Sequence, residues 1–344
     1  MPTTSTSDLN DSPRCSIIVS TYNDGHLICD AVDSLLAQTE QNFELIVVDD
    51  GSDDDTVARL AAYKTNPKVQ VLALSENQGV PRARNLGIEA ANGEIIVFMD
   101  ADATAPQHWL EALVQPFVRT RVGCVGGPDT APADDNLLAL CVDFTLQSSI
   151  ATGGLRRKGR LARYSPAGCN MAVRADILHQ LGFFDERLTR RGEEKELIQR
   201  IRRQGFEVVY VPDALISHRR RPSIKSFWKQ VYLSGRARVD ILRIAPDALE
   251  PAHLFPAVAT LILFALALGA LLQPEEPLFV LPLGLYGLLI LGNGILGGLQ
   301  RRSLWAAWYI SLTSAMVHLG YGLGFWIRLV ELAVSRTRNL TAPE

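Results

Sequence analysis

The residues able to do chemistry sit in short polar runs that follow apolar ones. "EIIVFMDAD" (94–102) leads from apolar residues straight into Asp100 and Asp102. Two carboxylates one residue apart suit a hard divalent cation, since Mg2+ prefers oxygen ligands and commonly takes one or two carboxylates with phosphate oxygens. Aspartates also favour turns and helix starts, so the triplet alone leaves both uses open. "VVDDGSDDDT" (47–56) places five acids beside an apolar run. Their mutual repulsion costs stability. A hydrogen bond from Asp50 to a base or ribose would account for one of them, and a turn followed by a helix cap is the alternative. In "STYND" (20–24), Tyr22 can stack on a base or pack at a rim. In "NQGVPRARNLG" (77–87), Arg82 and Arg84 can pair with a diphosphate or lie on a solvated face. Glu193 and Glu194 open a helical pattern. The helix dipole favours acids there, and carboxylates also serve as general bases.

These runs need elements to position them. "CSIIVS" (15–20), "FELIVV" (43–48), "VQVLAL" (69–74) and "EIIVFM" (94–99) read as buried strands. Helical patterns follow at 25–37, 53–63 and 80–91, and another after Pro106. Strand and helix alternate, which predicts a mostly parallel sheet covered on both faces. Ligands bind such sheets at the C-terminal strand ends, and "TYND", "DDGSDDD" and "DAD" all fall there. The second half reads as a helix over 136–150, a Gly- and Arg-rich loop over 152–163, a strand in "GCNMAV" (168–173), a helix over 193–203 and a strand in "FEVVYV" (206–211).

The formal charge of −3 over 344 residues argues neither for nor against nucleic acid, and no nucleic-acid partner is expected. The five cysteines are scattered without CxxC spacing, which argues against a zinc site or disulfide framework and for a reducing compartment. Residues 1–14 are polar and read as a disordered leader. Residues 254–274 and 277–300 carry no charge, and 303–329 carry only His318 and Arg328. Each is long enough to cross a bilayer, which takes about 20 apolar residues. The last, rich in Trp, Tyr and Gly, reads as a span, a tilted or broken helix, or a re-entrant segment. Arginines and lysines crowd 219–243, ahead of the first span, and Arg301 and Arg302 lie in the second loop. That bias places the N-terminal domain and the second loop on the cytoplasmic side. Phe227, Trp228, Val231 and Tyr232 share one helical face, so 219–253 reads either as a basic amphipathic segment lying on anionic lipid or as a positive-inside signal alone. The predicted organisation is a leader (1–14), an α/β domain (15–218), this interfacial segment (219–253), a membrane region (254–330) and a tail (331–344).

The segments "SIIVSTYND", "FELIVVDDGSDDDT", "NQGVPRARNLGIEAANGEIIVFMDAD", "GCNMAVRADILHQLGFFDE" and "GEEKELIQRIRRQGFEVVYVPDALISH", in this order, resemble the family-2 glycosyltransferases with a GT-A fold. The resemblance covers about 15–218. "HLGYGLGF" (318–325) is similar to the membrane-anchored exopolysaccharide subgroup related to succinoglycan transferases. The resemblance implies that Asp102 binds Mg2+ or Mn2+ holding a sugar-nucleotide diphosphate, with Asp100 assisting. Thr21, Tyr22, Asn23 and Asp50 would frame base and ribose, Arg84 would sit near base or diphosphate, and His218 would reach the metal. The family commonly has Glu-Asp where this chain has Glu193-Glu194, so Glu194 aligns with the usual base and Glu193 becomes an acceptor contact.

The expected activity is metal-dependent, inverting transfer of a sugar from a nucleoside-diphosphate sugar to a membrane-held, polyprenyl-diphosphate-linked glycan. It would serve exopolysaccharide or cell-surface glycan synthesis at the inner membrane. A polyprenyl-phosphate sugar synthase, which needs no base, and a non-catalytic sugar-nucleotide-binding protein are the alternatives.

Overall fold

The computed structural model describes residues 14–152, 164–189, 191–249 and 251–341. The predicted leader, apart from Arg14, and nearly all of the Gly- and Arg-rich loop lie outside the described residues. The chain forms two compact units. One comprises the residues up to Thr130 with Ala162–His218, and the other comprises Ala131–Leu161 with Arg219–Glu344.

The first unit begins with β1 (Cys15–Thr21), α1 (Gly25–Leu36), β2 (Phe43–Asp49), α2 (Thr56–Leu60), β3 (Val69–Ala73), α3 (Val80–Ala90) and β4 (Ile95–Asp100). It continues with β5 (Ala103–Thr104), α4 (Trp109–Val114), β6 (Val122–Gly126) and β7 (Asp129–Thr130). The chain then runs through α5 (Leu137–Gln147) and α6 (Ser149–Thr152), which belong to the second unit. It returns with β8 (Asn170–Arg174), α7 (Ala175–Leu181), α8 (Glu193–Arg203), β9 (Glu207–Tyr210) and β10 (Ile216–His218).

Seven strands form one sheet in the order β3-β2-β1-β4-β8-β6-β9. β8 runs antiparallel to both of its neighbours, and the other pairs are parallel. Continuous apolar runs make these strands because both faces are covered. Ile17, Val19, Leu45, Val47, Val97 and Met99 pack into one core, while Ile18, Ile46, Val48, Ile96 and Phe98 pack into another. Each such side chain contributes about 1.5–3 kcal/mol by leaving water. The register aligns the functional strand ends, pairing Thr21 with Asp49 and Ser20 with Asp100. A second sheet, β5-β10-β7, pairs His218 with Ala103 and so brings a late residue beside "DAD".

The second unit adds α9 (Ile224–Ile244), α10 (Pro251–Leu272), α11 (Pro277–Arg301) and α12 (Leu304–Thr341). Among the described residues three helices are long and apolar enough to cross a membrane: His253–Leu272, Pro277–Arg301 and Leu304–Ser335. Exposed Phe255, Leu271, Leu299 and Trp305 give them the apolar exterior that lipid would cover. The last segment is one unbroken helix, which removes the broken and re-entrant readings. It extends beyond the predicted limit of 329 because Arg328 and Glu331 find partners in Asp240 and Arg236 of α9.

Two expectations for 131–253 change. The amphipathic face of α9 does not lie open to lipid: Phe227 and Val231 are buried against Val142, Met316 and Val317, and only Trp228 of that face stays well exposed. Nor does the basic run wait for headgroups throughout. Arg219 pairs with Asp134 and Asp135, and Arg220 with Asp143. The segment around α5 was expected inside the α/β domain. It folds with the second unit because its Asp135 and Asp143 take up those arginines, and Thr145 and Ser148 bond to Thr313 of α12 and Asn293 of α11. Close helix approach explains "HLGYGLGF". A Cβ on Gly324 would meet the Tyr232 carbonyl at 2.0 Å, and one on Gly322 would meet Thr260 Oγ1 at 1.9 Å.

Candidate active site

Local hydrogen bonding absorbs most of the acidic run after β2. Asp49 accepts from Ser52, Asp54 accepts from Gly25 and Thr56, and Asp55 pairs with Arg59. Asp50, expected at base or ribose, uses one oxygen for the Gln78 N–H at 2.8 Å and the other for the Gly79 N–H at 2.9 Å. Its burial raises its pKa, and those two N–H donors oppose the rise. Gly79 has φ 93°, a backbone conformation that glycine adopts without strain. Asp50 therefore fixes the turn that starts α3. The acid density that looked excessive in the sequence is largely turn and cap chemistry.

Asn23 ties two loops together. Its N–H donates to Ser52 Oγ and its Oδ1 accepts from the Asp53 N–H, both at 2.9 Å, in the left-handed region that Asn tolerates. Tyr22 beside it is 45% exposed, with a ring face available for stacking. Thr21 Oγ1 is buried with no hydrogen-bond partner among the described residues. A buried orphan hydroxyl costs about 1–3 kcal/mol, which a ligand atom would offset.

Arg84 stands elsewhere than on a solvated face. It is 4% exposed, and its Nη2 donates to Asp100 at 2.9 Å while Nη1 donates to Glu193 at 3.0 Å. The guanidinium lies over the Phe98 and Phe184 rings. A Cβ on Gly168 would come within 2.5 Å of it, so glycine keeps the space. Arg82, by contrast, reaches Glu89 and Glu186 at the surface.

Glu193 is 6% exposed and Glu194 half-buried, both in the first turn of α8. Burial and the neighbouring Glu194 carboxylate push Glu193 up to about 8, against the pull of Arg84. One guanidinium faces three carboxylates here, so the glutamate pair retains a proton near neutrality. The titration belongs to the pair and not to either residue.

His218 presents Nε2 to Asp102 at 3.1 Å and Nδ1 to Asp129 at 3.4 Å. Burial works against its protonation, yet Cys169, Asp102 and Asp129 together raise its pKa well above the ordinary value. This acid cluster demands positive charge. Asp100, Cys169 and His218 each offer a ligand atom within 4.8 Å of the other two. Carboxylate oxygen from Asp100 and Asp102 with imidazole nitrogen from His218 is a donor set that fits Mn2+, and the carboxylates alone fit Mg2+.

Three residues were not singled out in the sequence. Cys169 lies 3.5 Å from His218 Nδ1. Asp129 approaches the same nitrogen at 3.4 Å. Asn170 is buried and joins the two sheets, accepting from Trp109 Nε1 and donating to the Pro128 and Ala214 carbonyls. "GCN" carried a signal for two of them through its position at a strand start, whereas Asp129 had none.

A mostly parallel sheet with an acidic cluster and an exposed aromatic at its strand ends has the architecture of the GT-A class of nucleotide-sugar enzymes. Residues 16–182 match the Glycosyl transferase family 2 model. The chain thus carries a family 2 glycosyltransferase domain, and the protein is a glycosyltransferase. It is 28% identical over 235 residues to Glycosyltransferase AglE of Haloferax volcanii, covering 67% of this chain and 74% of that one. It is 30% identical over 187 residues to the succinoglycan biosynthesis protein ExoO of Rhizobium meliloti, covering 54% and 51%. Its fold resembles the mannosyltransferase PcManGT of Pyrobaculum calidifontis, solved with GDP-Man and Mn2+. There the TM-score is 0.62 at 19% identity, with 93% of this chain and 89% of that one covered.

Proposed function

We propose that this protein transfers a sugar, with inversion, from a nucleoside-diphosphate sugar to a hydroxyl of a glycan held on a polyprenyl-diphosphate lipid. Exopolysaccharide or cell-surface glycan assembly is the process it serves, with the α/β unit on the cytoplasmic side of the inner membrane. The observation that carries this reading is the Arg84 bridge, which joins Asp100 of the cation site to the Glu193–Glu194 pair. A donor site alone would not require a buried, proton-retaining glutamate pair beside it. That pair also favours transfer to a hydroxyl over transfer to a phosphate, which needs no base. The likeness to ExoO supports a glycan product.

In this reading Tyr22 stacks on the base, and the orphan Thr21 hydroxyl meets the nucleotide, with Asn23 and Asp50 shaping the loops around it. Asp102, Asp100 and His218 hold Mn2+ or Mg2+. Such a cation supplies the charge that stabilises the departing diphosphate. Arg84 fixes Asp100 and Glu193 in place, and Glu193 in turn orients Glu194. Glu194 takes the proton from the acceptor hydroxyl, whose oxygen attacks the anomeric carbon from the face opposite the leaving group. A carboxylate beside the proton-retaining Glu193 can accept that proton near neutrality.

The test is a transfer assay with the full chain in membranes, native lipid extract, and uridine and guanosine diphosphate sugars in turn. The expected result is a glycosylated lipid, lost in Asp102→Ala and Glu194→Gln. If neither substitution reduced transfer, the assigned roles would be wrong. Donor binding that never yields free nucleoside diphosphate with any lipid would favour a binding protein instead.

A further inference from the structure

The cation cluster holds a donor that transfer chemistry does not use. Cys169 immediately precedes β8. The β4–β8 register, which pairs Met99 with Asn170, sets it beside Asp100. The β10–β5 register sets His218 against the same corner. Among the described residues this is the one group of three or more His, Cys, Asp and Glu side chains close enough to share an ion. Strand ends hold all three residues, so the geometry is preorganised.

We propose that Asp100, Cys169 and His218 bind a thiophilic divalent cation of the Zn2+ or Cd2+ class, and that this cation excludes the Mn2+ or Mg2+ of the transfer reaction. Sulfur, nitrogen and oxygen donors together match a borderline-soft ion, whereas hard Mg2+ gains nothing from a thiol. Zinc ligands lie about 2.0–2.3 Å from the metal, so tetrahedral donors stand roughly 3.3–3.8 Å apart. The 4.8 Å limit on the present separations means a closure of about 1 Å, within reach of side-chain adjustment. Cys169 lies 3.5 Å from His218 Nδ1, and a thiol gives up its proton when it ligates such a cation. The sulfur then bonds to the metal, His218 ligates through a deprotonated ring nitrogen, and the protons of both pass to solvent, which makes binding stronger as pH rises.

Exclusion follows from shared ligands, because Asp100 and His218 also belong to the Mn2+ or Mg2+ set. In this respect the inference rests on the reading under Proposed function. A thiophilic ion would hold the site in an arrangement suited to tetrahedral ligation, with no place for the diphosphate oxygens that an octahedral ion accepts.

The experiment uses the full chain in detergent without donor. Cd2+ is titrated while ultraviolet sulfur-to-metal charge-transfer absorbance is followed, and a Mn2+-loaded sample is followed in parallel by the resonance of released Mn2+. The expected result is one Cd2+ per chain, with Mn2+ released in step. Cys169→Ser should weaken Cd2+ binding by at least about 100-fold and still bind Mn2+. Cys169→Ala, which buries no hydroxyl, serves if the serine variant misfolds. Equal Cd2+ affinity and absorbance in wild type and both variants would overturn the proposal, as would saturation by Cd2+ with Mn2+ still bound. A charge-transfer band that depends on Cys169, in a protein that never binds Mn2+, would support the thiophilic site and overturn only the transfer cation.

Discussion

Arg84 and Glu193 form a buried ion pair, 3.0 Å from Nη1 to Oε1, and the same guanidinium holds Asp100 at 2.9 Å. A helix start near "NQGVPRARNLG" therefore links Asp100 of the proposed cation site to the glutamates of α8. Removing one member of a buried pair leaves an uncompensated charge, which typically costs about 3–5 kcal/mol. Arg84→Met should lower the melting temperature sharply. Adding Glu193→Leu should restore part of it, because an orphaned buried carboxyl is gone. Arg84→Lys should also be destabilising, since a single ammonium cannot serve both carboxylates in fork geometry. Calorimetry of the detergent-solubilised variants checks all three.

In the proposed mechanism the glutamate pair should make transfer pH-dependent. Glu193 is raised from the ordinary carboxyl range to about 8, partly by the charge on Glu194, so below that value the pair shares one proton, which makes it a weaker base. Activity at saturating donor should rise with pH and level off above about 8. Glu194→Gln should cost roughly 100- to 10,000-fold in rate and abolish this limb. Glu193→Gln removes the repulsion and should move the rise to lower pH. The sign for stability is opposite. A carboxyl with raised folded pKa favours the fold when protonated, so its contribution is full below the usual glutamate range and lost as pH rises through about 8.

Chelation should stop transfer, and Mn2+ should restore it better than Mg2+, because His218 supplies a nitrogen donor. Mn2+ should also stabilise the protein, by about 2.7 kcal/mol at 100 times its dissociation constant. The thermal shift should vanish in Asp102→Ala. A shift of equal size in that variant would place the ion elsewhere.

The glycines of α12 set how closely its neighbours approach. Gly324→Val would drive a methyl group into the Tyr232 carbonyl, which a Cβ at 324 already meets at 2.0 Å. Overpacking of this kind costs typically 1–3 kcal/mol. A lower melting temperature in micelles is expected, whereas Gly284→Val, where a Cβ meets nothing within 4 Å, should be tolerated.

Positive-inside topology predicts opposite exposure for the two loops of the membrane region. After the native cysteines are replaced, a cysteine at Gln273 should react with an impermeant reagent from outside intact cells. One at Ser303 should react only after permeabilisation. Labelling of Ser303→Cys from outside would reverse the orientation.

The α/β alternation, the strand-end clusters and the apolar segments were legible in the amino-acid order, because each depends on local periodicity and length. β4 ends on Asp100 and α8 starts at Glu193, as the pattern required. Partners were not legible, because they depend on which distant groups the register brings together. Asp50 carries the composition of a nucleotide contact, yet both its oxygens hold the 78–79 turn. Arg84 reads as a diphosphate partner or a solvated cation at a helix start, yet it is the buried link between Asp100 and Glu193. α5 reads as part of the α/β domain, and packing assigned it to the second unit through Asp143 and Arg220. Asp129 and Cys169 gained meaning only when β7 and β8 delivered them to His218 Nδ1. Residue order determined which chemistry the chain carries. Tertiary structure decided which charges neutralise one another and which remain for a ligand, because in a buried site a charge is stable only beside its counter-charge.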